Sequence, residues 1–205
     1  MPDPVLRLIV RRRFAAAAAI AVLAPLAALM SGAPTDAQTH AADEAAWTRA
    51  AGAASIAAYR DYLNEFPQGT HIEEAQMQIV DLTLAAPPVK SNVFDGTWWT
   101  TVACPSTGRT LGFTYKFAGQ VKDGEYHGSK GSEGEGGWYA LEGRIAPDGD
   151  GAMLAKGIIG SSAFAVGNSP AGNAYAYHVM AHFGAAGGTG KRVEGRVCNL
   201  TFVRE

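Results

Sequence analysis

The sequence predicts a mostly β protein: a small antiparallel up-and-down β-barrel of seven or eight strands, preceded by an α-helical hairpin. Three observations predict it. All but three of the 25 glycines (Gly32, Gly52 and Gly69) fall within residues 93–205. In that stretch apolar residues alternate with a period of two, in short runs separated by turn residues. Before Pro87-Pro88 the chain is alanine-rich instead, and its apolar residues recur at helical spacing.

The N-terminus reads as a secretory signal peptide over residues 1–37. Arg7, Arg11, Arg12 and Arg13 make a positive start, Phe14 to Met30 is apolar, and Thr35-Asp36-Ala37 offers small residues for cleavage. Arg11-Arg12-Arg13-Phe14 also resembles a twin-arginine export signal, so both export routes stay open. The apolar run is shorter than the ~20 residues a membrane span needs. No cysteine follows it to carry a lipid. The expected location is periplasmic or secreted, without membrane insertion after cleavage. Of 17 basic and 19 acidic residues, four and two leave with the signal, so the remainder is 13 against 17, a net of −4. That balance argues against nucleic acid as a partner, because such binding needs clustered positive charge.

Residues 41–86 are expected to form the hairpin. Ser55 can cap a helix carrying Ile56, Tyr59, Tyr62, Leu63 and Phe66 on one side, and Pro67-Gln68-Gly69 ends it. Thr70 with Glu73 has the spacing of a capping box for a second helix bearing Ala75, Ile79 and Leu82. Trp47 lies on a preceding helical stretch, placed to pack across the pair. The run Tyr59-x-x-Tyr62-Leu63-x-x-Phe66-Pro67-x-Gly69, followed by Ala75, resembles one tetratricopeptide-type repeat. About three repeats are needed to make a peptide-binding groove, so the resemblance implies a hairpin that docks on its neighbour.

Residues 87–92 are a linker, and 93–205 form the glycine-rich β domain. Strands are expected near 97–103, 110–118, 121–128, 137–146, 151–159, 174–184 and 192–204, with a weaker one around 162–166. Between them stand Pro105-Ser106-Thr107-Gly108, Asp123-Gly124 (read as a bulge), Pro147-Asp148-Gly149, and a turn from Gly184 to Gly190. Alternation puts Leu111, Phe113, Tyr115 and Phe117 on one side, and likewise Tyr175, Tyr177, Val179, Ala181 and Phe183. Trp98, Val102 and Cys104 share a face on the first strand; Arg196, Cys198, Leu200, Phe202 and Arg204 share one on the last. First and last strands are neighbours in a closed up-and-down barrel. A Cys104–Cys198 disulfide would clasp them, provided both faces are the same.

Phe94-Asp95-Gly96-Thr97-Trp98 resembles the Gly-x-Trp opening of the calycins, the superfamily of lipocalins, fatty-acid-binding proteins and avidins. The resemblance implies that Trp98 closes one barrel end beneath an arginine of the last strand, Arg196 or Arg204. It also implies a small apolar ligand inside. The order of signal, helical pair and glycine-rich β domain with Gly195-Arg196-x-Cys198 is similar to that of uncharacterised exported alphaproteobacterial proteins.

Other motifs dissolve on spacing. His178 and His182 lie four residues apart on a strand, ~13 Å, too far to share a metal ion. Gly187-Gly188-Thr189-Gly190-Lys191 imitates a phosphate loop, but Ala185 stands at the first glycine position and Arg192 replaces the magnesium-binding hydroxyl. Glu133, Glu135, Asp148 and Asp150 lack calcium-loop spacing. No Gly-x-Ser-x-Gly elbow occurs. No cofactor or metal is expected. The functional expectation is therefore a non-catalytic module that binds a small apolar or aromatic ligand in a cavity lined by Trp98, Phe113, Tyr115, Tyr177 and Phe202, or docks an envelope protein on its rim. A purely structural envelope role and a hydrolase with an unrecognised site are the alternatives. The aromatic count favours a filled or nearly filled barrel, whereas the glycines and alanines opposite could leave space.

Overall fold

The structure, a computed structural model, describes residues 36–205. The signal peptide read over residues 1–37 lies outside the described residues except for Asp36 and Ala37, which open the first helix. No helix among the described residues is long and apolar enough to cross a membrane.

Three helices come first: α1 (Asp36–Ala53), α2 (Ile56–Glu65) and α3 (Ile72–Ala85). The expected pair is α2 and α3, and the stretch bearing Trp47 is a full helix. Ser55 caps α2 as expected, its Oγ accepting from Ala58 N at 3.2 Å. The Thr70–Glu73 capping box does not form. His71 is the N-cap of α3, and the Thr70 amide donates instead to Asp43 Oδ2 at 2.8 Å. Asp43, buried on α1, also accepts from the Tyr62 hydroxyl at 2.6 Å. That hydroxyl in turn accepts from His71 N at 3.0 Å. The carboxylate thus satisfies donors from both other helical segments, and these bonds hold its pKa below the ordinary value. Trp47 completes the layer, stacked on His71 with 4.7 Å between ring centroids.

Eight strands follow: β1 (Gly96–Cys104), β2 (Phe113–Lys122), β3 (Glu125–Lys130), β4 (Tyr139–Ile145), β5 (Asp150–Ile158), β6 (Ala174–Phe183), β7 (Gly187–Arg192) and β8 (Asn199–Arg204). Each pairs antiparallel with the next, and β8 returns to β1 to close the barrel. Cys104 and Cys198 are disulfide-bonded across that seam, which requires the shared inward face anticipated for them. Helix α3 lies against the outside of β4, β5 and β6. Arg144 donates to the carbonyls of Thr83 and Ala86, and Met180 joins the helical core.

Several expected elements are corrected. The single strand expected over 192–204 is shortened to Asn199–Arg204, and an additional strand, β7, begins inside the supposed Gly184–Gly190 turn and ends at Arg192. Asp123-Gly124 is a two-residue hairpin turn rather than a bulge: Lys122 pairs with Glu125 and both turn residues have positive φ. The weak strand at 162–166 is instead a 3-10 turn at Ser162–Phe164, followed by another at Val166–Asn168. Leu111 precedes β2 and is half exposed, so it does not join the inward row of Phe113, Tyr115 and Phe117.

The barrel has a filled half and an open half. In the filled half Trp98, Phe183, Tyr126 and Phe202 are buried together with Leu141, Met153 and Val179. Glycines make the space for these rings. A Cβ on Gly119 or Gly128 would come within 3.0 Å of Tyr126 side-chain atoms. The Tyr126 hydroxyl is satisfied by Thr100 Oγ1 inside the core.

Candidate functional site: an aromatic cup with a cationic mouth

At the barrel end that holds the disulfide, a cavity of about 380 Å³ opens between the strands. This is toward the small end of the range for small-molecule sites, ~300–1,000 Å³. Two stacked pairs of rings face into it. Phe113 and Tyr115, two residues apart on β2, lie 5.1 Å apart and nearly parallel. Tyr175 and Tyr177 repeat the motif on β6, with 6.2 Å between centroids and an interplanar angle of 5°. Tyr139 of β4 stands between the pairs, 5.3 Å from Tyr115 and 6.3 Å from Tyr177. Its hydroxyl accepts from that of Tyr177 at 3.0 Å.

A loop from Ile159 to Asn173 arches over this opening. Its ends are pinned to each other by Ile159 N to Asn173 O at 2.9 Å and Gly172 N to Ile159 O at 2.8 Å. Phe164, at its crest, meets Phe113 edge-on at 6.2 Å. Arg196 ties the loop down: one Nη donates to Phe164 O at 3.0 Å, and the other donates to the carbonyls of Cys104, Pro105 and Leu111. The guanidinium also lies 5.1 Å from the Phe113 ring centroid. Leu111, Phe164, Val166 and Val197, all on the loops at this end, leave apolar surface exposed.

Three cationic side chains line the cavity: Lys130, Arg192 and Arg196. Lys130 Nζ sits 5.5 Å from the Tyr115 ring and Arg192 lies 4.2 Å from the Tyr177 ring, both within cation–π range. Burial pushes the phenols of Tyr115, Tyr139 and Tyr175 upward, and that of Tyr177 up to about 12. They therefore remain neutral at physiological pH and act as hydrogen-bond donors, not as bases. Burial, and then the neighbouring Arg192, lowers Arg196 from its ordinary value. No carboxylate, histidine or free thiol lines the cavity. Among the described residues no three His, Cys, Asp or Glu side chains are grouped to hold a metal ion.

Of the five side chains expected to line a ligand cavity, the structure brings Phe113, Tyr115 and Tyr177 together at the cup. Trp98 and Phe202 are corrected: both lie fully buried in the filled half and do not reach the cavity. The two arginines also separate. Arg204 is the one beside Trp98, 5.7 Å from its ring, donating to the backbone of Val93, Ala185 and Asp95. Arg196 is at the opposite end. His178 and His182 face outward: His178 lies between Asp81 and Glu194, and His182 pairs with Asp150.

Sequence reasoning missed Tyr139, which packs against the ring pairs without lining the cavity, and the lining residues Lys130, Arg192 and Phe164. A signal existed for the first two. Tyr139, Leu141 and Ile145 share a parity on one strand, and Lys130 shares one with Tyr126. No family model matches the chain, and no curated protein matches it.

Proposed function

We propose that this chain is an exported binding protein that holds a small aromatic or apolar molecule in the open half of a calycin-like barrel. The carrying observation is the cavity itself: half of the barrel is packed solid, while the other half is left open and walled by five aromatic rings. Closely spaced rings offer flat apolar contact at low entropic cost, and a few polar groups fix orientation. The lining supplies protonated phenols, guanidiniums and one ammonium, a set suited to recognition and lacking any base or nucleophile for turnover. Exposed Leu111, Phe164 and Val166 around the opening give an apolar ligand a path in. The disulfide is compatible with an oxidising compartment.

Fluorescence titration with the neutral dye phenylnaphthylamine tests this reading. The dye should brighten and saturate at one site per chain. Tyr115→Ala, which removes a wall, should weaken binding about tenfold. Ser169→Trp, which fills the cavity from the overlying loop, should exclude the dye. Failure to bind, or binding indifferent to both changes, would overturn the proposal.

A further inference from the structure

The cup's charge does not match the chain that carries it. The protein is acidic overall, with a formal net charge of −2, yet all the charged side chains lining the cavity are positive. Among the described residues none of the three pairs with a carboxylate within 4.0 Å, although the other surfaces are laced with such pairs.

The three cations are not equivalent. Arg196 is buried and its Nη groups are occupied by four backbone carbonyls, so it contributes charge while its outer donors are spent on the backbone; its Nε is buried without a partner. Lys130 is exposed at the rim. Arg192 is half-buried, lies over the Tyr177 ring, and is anchored through Nε to the carbonyl of Glu194 at 2.8 Å. Among the described residues its Nη groups have no hydrogen-bond partner. A fixed, planar guanidinium with its outer donors free is the form in which arginine recognises carboxylates and similar anions. A neutral apolar molecule entering here would strip water from that guanidinium and return nothing; an anionic group would restore the lost interaction. The neighbouring phenol of Tyr175 stays protonated and can donate to the same anion.

We infer that the ligand of this cup is a small aromatic molecule carrying one anionic group, its ring held between the tyrosine walls and its charge met by the Nη donors of Arg192. This deepens the reading of the cup as a ligand site and rests on it. Arg196 acts through the loops it fastens and is a positioning residue.

Two dyes that share a ring system and differ in one charge separate the possibilities. Anilinonaphthalenesulfonate carries the anion, and phenylnaphthylamine is the same scaffold without it. The folded, disulfide-bonded protein should bind the sulfonate at least tenfold more tightly than the neutral dye, the two should compete, and added salt should narrow the gap. Arg192→Met should reduce the ratio of the two affinities about tenfold, and Arg192→Lys should recover part of it. If the neutral dye binds in the cup and the sulfonate binds no better, the inference fails while the cup remains a ligand site. A ratio unmoved by Arg192→Met likewise overturns it. Binding of neither dye overturns both.

Discussion

Replacing Gly119 by alanine tests whether glycine content reflects ring packing in the filled half. An added Cβ there would come closer than 3.0 Å to Oη, Cζ and Cε2 of Tyr126. Tyr126 is fully buried and its hydroxyl is held by Thr100, so the ring has nowhere to withdraw. Overpacking of this kind costs about 1–3 kcal/mol. Breaking the Thr100–Tyr126 hydrogen bond adds about 1 kcal/mol. Against this, alanine recovers the roughly 0.5–1 kcal/mol that glycine forfeits inside a strand. The clash prevails, and Gly119→Ala should lose about 1–3 kcal/mol in urea unfolding, read as a lower midpoint at unchanged slope. The control is the same change in a Tyr126→Ala background. With the ring gone, the alanine should cost less than about 0.5 kcal/mol, so the two sites should be coupled by more than about 1 kcal/mol. A neutral or stabilising Gly119→Ala, or an equal cost in both backgrounds, would refute the reasoning.

Three further outcomes are expected. Reducing the Cys104–Cys198 bond, which spans 94 residues of sequence, should destabilise the protein by up to about 4–5 kcal/mol on a chain-entropy argument; equal unfolding midpoints with and without reductant would contradict this. Asp43→Asn should cost about 1–2 kcal/mol near neutral pH through its bonds to Tyr62 and Thr70. Because the folded pKa of Asp43 lies below its ordinary 3.8, that contribution is present above pH 3.8 and fades as the pH falls through the folded value; thermal midpoints of wild type and variant should converge in acid, and a constant gap would be the contrary result. Tyr177→Phe should cost about 1 kcal/mol through the lost bond to Tyr139. Since the Tyr177 phenol titrates near 12 rather than 10, the unfolded chain releases its proton first, and the stability tied to that phenol should decline as the pH rises above 10, with the decline smaller in the variant.

Local pattern carried the barrel but not all of its strands. Alternation located β1, β5 and β6 within a residue or two because their inward rows are mostly apolar. It failed at β7, where Gly188 and Gly190 point inward and carry no side chain to alternate. A run of glycines looks like a turn when read locally; here a Cβ on Gly188 or Gly190 would crowd Phe183 or Phe202, from neighbouring strands. The Thr70 capping box failed for a related reason, since its amide is claimed by Asp43, 27 residues earlier. At the site, sequence parity found the rings of Phe113, Tyr115 and Tyr177. It could not tell which end of the barrel each inward residue occupies, because depth along the barrel depends on register with the neighbouring strand. That is why Trp98 and Phe202 were grouped with the cup, and why both arginines competed for Trp98 until the pairing of Trp98 with Arg204 decided it.

The β1–β8 seam also governs how the barrel can come into being. Every other strand pairing joins neighbours along the chain, so successive hairpins can assemble as the polypeptide emerges. The closing pair joins residues about a hundred positions apart, and until it forms both end strands present a bare edge. Non-local closure of this sort slows folding, because loop entropy is lost before the contacts that compensate it exist. Within this barrel the final strand carries the closure: Leu200 and Phe202 lie on the strand whose pairing with β1 shuts the barrel. An open-edged intermediate is the species most prone to pair with another chain, and residence in that state is set by how quickly β8 finds β1.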